Sequence, residues 1–272
     1  MSTLVDSPQP VGTLLRSWRE RRRLSQLDLA NQAGVSPRHV SFLETGRSRP
    51  TRTMLLRLSD QLDIPLRERN TLLLAGGFAP AYPEHSLSAV PMAAIAAAVG
   101  QILEAQLPNP TVVVDRHWTM VDGNAAVALF TDGCAAHLLE PPVNVLRLSL
   151  HPDGMAPRIV NLAQWRAHLL HRLDSQIAAT GDPALRELAA ELSRYPSDNG
   201  DGAPECHEGA GLVPGALVVP IRFATAAGEL AFLSTTTVFG TPLDVTVAEL
   251  AIETFYPANP ETAATLRRNA GR

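Results

Sequence analysis

Lysine is absent from the chain, so all 23 basic side chains are arginine. The arginine-rich run from Arg19 to Arg23 therefore says less than it would in a mixed sequence, since genome composition could account for that choice. Cysteine is scarce as well. Cys134 and Cys206 are too few and too far apart for a disulfide framework, and a reducing cytoplasm suits them. No apolar run reaches the ~20 residues that a membrane-spanning helix needs. Residues 90–100 form the longest smooth apolar stretch, and the N-terminus lacks the apolar centre of a signal peptide. A cytoplasmic protein with no membrane partner is the expectation. Also missing are the G-x-S-x-G elbow, the phosphate-binding P-loop and the dinucleotide fingerprint. No catalytic residue is assigned, and an enzyme is not expected.

What is present divides in two. At 272 residues there is room for two cores, and 45% hydrophobic with 18% charged residues are the proportions of a soluble globular protein. A net charge of −4 argues against nucleic acid, but residues 1–85 carry +4 and the remainder −8. That split suits a head that meets phosphates, tethered to a body that does not.

Within the head, residues 24–50 read as two short helices joined by a tight turn. Ser25 can cap a helix burying Leu29, Ala30 and Ala33, and Gly34 supplies the left-handed residue that ends it. Ser36 caps the next helix with Pro37 at its first position, and Val40 and Leu43 recur at the spacing of a buried face. Such a pair can lay its second helix in a major groove. Ser36, Pro37, Arg38, His39, Ser41, Phe42 and Thr45 are then left outward. Arg38 is the candidate base reader, because a guanidinium can bond O6 and N7 of guanine together. Pro37 and Phe42 can pack on thymine methyl groups, although for Phe42, beside Leu43, core packing is an equal explanation. Gln26, Arg47, Arg49 and Arg52 lie where they can hold phosphates and fix register without reading sequence.

The pattern S-Q-x-x-L-A-x-x-A-G-V-S over residues 25–36, followed by V-S-x-L-E-x-G-x-x-x-P over 40–50, resembles the Xre, or lambda-repressor-like, family. The likeness covers residues 11–75 and implies an all-α, five-helix DNA-binding domain. It also implies that Gln26 opens the second helix on a phosphate and that Arg19 and Glu44 form a buried salt bridge. The expected organisation is a loose arm over 1–10, the helix-turn-helix domain over 11–77 and a Gly/Pro-rich linker over 78–91. An α+β body fills 92–272.

In the body, residues 111–114 are a β-branched run, Asp115-Arg116 can turn, and residues 118–121 return as a second strand. Asn124 is expected to cap a short helix. Helical patterns follow at 144–150, 159–180 and 183–195, then a polar loop at 197–211. Strands are expected at 216–224, 229–238 and 247–256, with a last helix at 260–268. A hairpin followed at once by a capped helix is how a PAS-type sensor domain begins. The motifs N-P-x-x-V-x-D, W-x-x-x-x-x-N-x-A, H-P-D-G, I-V-N-x-x-x-W, T-P-x-D-V-T-x-x-E-L and F-Y-P-A-N-P-E-T succeed one another from Asn109 to Thr262. In that order they resemble the ligand-binding domain of MmyB-like transcription regulators, over residues 90–268. The resemblance implies a PAS-like fold around an apolar pocket for a fatty-acid-like molecule, and homodimers on paired half-sites. Asn259-Pro260 departs from the more acidic pair expected there.

The candidate pocket residues are Val113, Trp118, Phe130, Leu146, Trp165, Leu169, Val219, Phe223, Phe232 and Phe255, with His151, Arg158 and Arg222 to orient a head group. More than half of the apolar set must be plain core. His168 with His171, and Cys134 with His137, have the spacing of shared ligands but bring no partners, so no metal is assigned. No cofactor is expected beyond a bound fatty acid or similar apolar ligand. The chain reads as a sequence-specific transcription regulator that binds double-stranded operator DNA and senses a small apolar ligand. The alternatives are a body that binds a protein partner, or an enzyme with a DNA-tethering head.

Overall fold

The computed structural model describes residues 9–196, 218–226 and 228–270, with side chains to 268. Most of the expected N-terminal arm, the polar loop at 197–211 with Cys206, the first residues of the strand expected at 216, and Ala227 in the turn lie outside the described residues. The chain forms two compact units: residues up to Ser86 with Thr241–Ala248, and Leu87–Gly240 with Glu249 onward.

The first unit contains α1 (Val11–Arg21), α2 (Gln26–Ala33), α3 (Pro37–Glu44), α4 (Arg52–Gln61) and α5 (Leu66–Ala75). Each boundary has a local cause. Ser25 and Asp28 make a reciprocal capping box at the start of α2, and Gly34 closes it at φ 59°. The hydroxyls of Ser36 and Thr51 accept from the N–H groups of His39 and Met54, each at 3.2 Å, and so start α3 and α4. Leu15, Trp18, Leu29, Val40, Leu43, Leu55, Leu58 and Leu72 meet in one core. Each such side chain stabilises the unit by about 1.5–3 kcal/mol relative to exposure.

Gly12 is where α1 crosses the end of α3; a methyl group there would stand 2.6 Å from the Glu44 carbonyl oxygen. The segment expected as a linker begins by docking on α5. Phe78 and Ala81 pack on the core, and the Asn70 carboxamide bonds the backbone of Ala81 and Tyr82. The segment Thr241–Ala248, which contains α11 (Val245–Ala248), joins this unit too. Val245 N–H donates to Pro83 O at 2.9 Å, and His85 Nδ1 lies 2.7 Å from Asp244 Oδ2.

The second unit is built on β1 (Thr111–Val114), β2 (Met120–Gly123), β3 (Ile221–Thr225), β4 (Gly228–Val238) and β5 (Ala251–Pro257), in the antiparallel order β2-β1-β5-β4-β3. Its helices are α6 (Ala93–Ala105), α7 (Ala128–Thr131), α8 (Val145–Leu150), α9 (Leu162–Thr180), α10 (Pro183–Leu192) and α12 (Pro260–Ala270). Val99 and Leu103 of α6 cover one sheet face at Val113, Leu250 and Ile252. Val112, Val114, Ile221, Phe223, Leu230 and Phe232 point the other way, into the larger core with α8, α9 and α10. This is the α+β, PAS-like arrangement: a curled five-stranded sheet with a helical layer holding an interior.

Three expected elements differ. The strand expected at 247–256 begins at Ala251, because Asp244 accepts from the N–H groups of Thr246 and Val247 and starts α11 there. The second strand begins at Met120 rather than 118, because the Asp115 side chain accepts from the N–H groups of His117 and Thr119 and holds Trp118 in the turn at φ 66°. Asn124 caps nothing with its side chain. Its carboxamide accepts from Thr111 N–H and donates to Leu103 O and Asn109 O, tying the end of α6 to β1. Elsewhere, Arg147 of α8 forms a two-pronged pair with Glu191 of α10, both bonds at 2.8 Å, and Tyr195 O–H donates to the same carboxylate at 2.6 Å.

Candidate nucleic-acid interface and ligand cavity

The outward face of α3 is held by a charge cluster behind it. Glu44, at the end of α3, has a side chain only 1% exposed. It accepts from Arg19 Nε at 2.6 Å and Nη2 at 3.0 Å, and from Gln26 Nε2 at 2.8 Å. Arg19 also donates to Leu24 O at 2.7 Å. One carboxylate therefore locks α1, α2 and α3 together, and the hydrogen bonds repay the desolvation that an unpaired buried charge would suffer. The other arginines of the same run are structural in part: Arg22 donates to Leu62 O and Asp63 O, and Arg21 lies over the Trp18 ring at 4.4 Å.

On the outer face Ser36, Pro37, Arg38, Arg47, Arg49 and Arg52 are exposed, and His39, Ser41 and Phe42 are half-buried. Phe42 is outside the core cluster. Its ring stands 5.0 Å from the Arg38 guanidinium and 5.9 Å from that of Arg47. These contacts stiffen both arginines at the surface. Gln26 gives one amide N–H to Glu44 and keeps the other, so that N–H and the main-chain N–H groups of Gln26 and Leu27 are the donors left at the start of α2.

In the second unit a cavity of about 50 Å³ lies between the sheet and α7, α8 and α9. Of the sequence candidates, Phe130, Leu146, Trp165, Leu169 and Phe255 line it. Phe130 is the hub, meeting Phe223, Phe232 and Phe255 edge-to-face with centroids 5.0–5.4 Å apart. Phe223, Phe232 and Val219 are core behind that wall, and Val113 faces the opposite side of the sheet.

Trp118 is buried next to the lining without being part of it; its indole N–H donates to Gln176 Oε1 at 2.9 Å. None of the three proposed head-group residues reaches the cavity. Arg222 is exposed and paired with Glu229 at 2.7 Å. Arg158 donates to Phe130 O and lies over the Phe223 ring at 4.7 Å, bracing the aromatic hub from outside. His151 stacks edge-on against Tyr195 and His137.

Ten of the lining residues were not among the sequence candidates, Val112, Met120, Ile221 and Glu253 of the sheet included. Glu253 was the detectable one, as the one charge on β5 and in phase with Ala251 and Phe255. It is 5% exposed, and Arg172 Nη1 lies 2.5 Å from its Oε1. Thr236 Oγ1 donates to the same oxygen at 3.2 Å. Arg172 is itself stacked over Trp118 at 4.5 Å and donates to Thr236 Oγ1.

Among the described residues, His137, His151 and Asp153 bring one potential metal-ligand atom each within 4.8 Å of one another. However, His151 Nδ1 already accepts the Asp153 N–H at 3.0 Å, which puts the ring proton on Nε2 and leaves that imidazole without a lone pair to offer. His168 packs against Trp165, and burial, with Arg172 and His171 nearby, pushes its imidazole below the usual histidine range; His171 is exposed. No helix among the described residues is long and apolar enough to cross a membrane.

A braced helix-turn-helix in one unit and a sheet-backed apolar cavity in the other are the parts of a helix-turn-helix protein that carries a second domain of the ligand-binding type. The chain belongs to the MmyB-like family: the profile of the MmyB-like transcription regulator ligand binding domain matches residues 95–268, and a helix-turn-helix profile matches residues 15–69. Uncharacterized HTH-type transcriptional regulators of Mycobacterium bovis and Mycobacterium tuberculosis are 32% identical to it over 118 residues. That match spans 41% of this chain and 40% of theirs. A solved RNA-binding light-oxygen-voltage receptor aligns over 96% of this chain and 64% of its own at 15% identity and a TM-score of 0.24, too loose a likeness to bear on the fold.

Proposed function

We propose that α3 enters the major groove of operator DNA, with Arg38 reading a base and Arg47, Arg49 and Arg52 holding phosphates. Ser36, Pro37, His39, Ser41 and Phe42 line the same contact, and the protein acts as a homodimer on paired half-sites. The observation that carries this is the display of exposed Arg38 on a helix fixed from behind by the buried Arg19–Glu44–Gln26 cluster. Phosphate contacts supply most of the affinity and make it fall steeply with salt. Arg38→Ala is expected to relax preference at one position per half-site by about 1–3 kcal/mol, whereas Arg49→Ala weakens all sequences alike. Equal losses on every sequence for Arg38→Ala would remove it as a reader.

The body, in this reading, senses a small apolar molecule. The cavity, about 50 Å³ as it stands, is too narrow for a long acyl chain, so binding one must widen the gap between the sheet and α8–α9. Burial of about 0.8 kcal/mol per CH₂ opposes the cost of that widening. A ligand then favours the widened state by its differential affinity, which is what a switch requires. The covalent chain supports a route to the head: β5, which carries Glu253, begins three residues after the segment that groups with the first unit. Operator affinity measured with and without a bound amphiphile tests this. Identical values would leave the body as a dimerisation module.

A further inference from the structure

Resting on the reading that the cavity takes a ligand, we infer that Glu253, oriented by Arg172, reads the ligand's head group. The group it selects is a hydrogen-bond donor, such as a hydroxyl, an amide N–H or an ammonium, rather than a carboxylate.

Three residues of the lining bring side-chain oxygens: Thr131, Ser149 and Glu253. No arginine or histidine is among the lining residues, so a carboxylate entering there meets a carboxylate and no cation of its own. Ser149 accepts the Trp165 indole N–H at 3.0 Å and keeps its O–H, but neutral hydroxyls such as those of Ser149 and Thr131 bring no charge to offset that of Glu253. Arg172 is committed. Its Nη1 pairs with Glu253, its Nη2 donates to Thr236, and its plane lies on Trp118.

Among the described residues, the polar contacts of Glu253 both fall on Oε1, which leaves Oε2 for a donor from the ligand. Glu253 alternates with Phe255 on β5, and both belong to the lining. A molecule with its head on Oε2 therefore sets its apolar part against Phe255, Phe130 and Trp165. In a low-dielectric interior a donor on a carboxylate gains a charge-assisted hydrogen bond, while a second carboxylate is repelled at short range.

The test keeps the carbon-chain length fixed and changes the head: hexan-1-ol, hexylamine and hexanoate are titrated into the whole 272-residue protein at neutral pH, read by tryptophan fluorescence and by calorimetry. The expected result is that the alcohol and the amine bind at least tenfold more tightly than hexanoate, and that Glu253→Gln narrows the gap by admitting the acid. Hexanoate binding as tightly as the alcohol in the wild-type protein would overturn the inference and leave ligand sensing intact. Binding by none of the three would overturn the sensing reading and this inference together. The comparison within the wild-type protein decides the question even where the variant folds poorly.

Discussion

Glu44→Ala removes the carboxylate to which Arg19 and Gln26 donate, and leaves a guanidinium with a side chain 10% exposed whose remaining counter-charge is the solvent-facing Glu20, 3.7 Å away. Deleting one partner of a buried pair costs about 3–5 kcal/mol. At about 0.05–0.15 kcal/mol per residue, a unit the size of the head holds some 4–12 kcal/mol in all, so this one change removes a large share of it. Because Glu44 joins α1, α2 and α3, the loss is confined to the first unit. Hydrogen exchange read by mass spectrometry resolves that. The slowest amides of α1–α4 should exchange roughly two to four orders of magnitude faster, while those of β1, β4 and β5 stay unchanged. Glu44→Gln keeps the shape and one acceptor for Arg19 and should lose less. Wild-type protection in the α3 peptides of Glu44→Ala would refute the claim that this cluster holds the reading helix.

Gly12→Ala should lower stability by about 1–3 kcal/mol, seen as a fall in the midpoint of urea unfolding, because backbone carbonyls of α3 rather than a flexible side chain occupy the space its methyl needs. Tyr195 is pushed up to about 12 by burial and by its hydrogen bond to Glu191. Its contribution to stability is therefore full below the ordinary tyrosine range and is lost as pH rises through about 12. Tyr195→Phe should remove a late-ionising step from an ultraviolet titration of the protein. For Asp182, burial works against the charge, but the hydrogen bonds from His117 and the Ala184 N–H, with Arg116 nearby, outweigh it and hold the carboxyl below its usual range. That stability is present above the ordinary carboxylate range and lost as pH falls through the depressed value, so the deficit of Asp182→Asn, which can still cap α10, should shrink in acid.

The head was legible because its signals are local. Ser25, Gly34, Ser36, Pro37 and Gly46 mark turns and caps within a few residues of the helices they bound, and the Arg19–Glu44 pair was implied by the family resemblance. In the body, the order of elements came through, but the phase of the sheet did not. All four residues of β1 are buried, since helices cover both faces, so alternation could not say that Val112 rather than Val113 looks into the cavity. Arg158 and Arg222 were chosen for charge. Their partners, Phe130 O and Glu229, are set by tertiary placement and by the β3–β4 register, which composition does not reveal. Nor did the Gly/Pro-rich stretch after Gly77 disclose that it docks on α5, because the Asn70 carboxamide that holds it lies outside the stretch.

The central claim is that the outer face of α3 reads duplex DNA. Selection of bound sequences from a random duplex pool, run in parallel with the full-length protein and Arg38→Ala, tests it most directly. The account predicts an enriched motif of two related half-sites, with one position per half-site blurred in the variant. No enrichment by a folded wild-type protein, or the same motif with the same sharpness from both proteins, would contradict it.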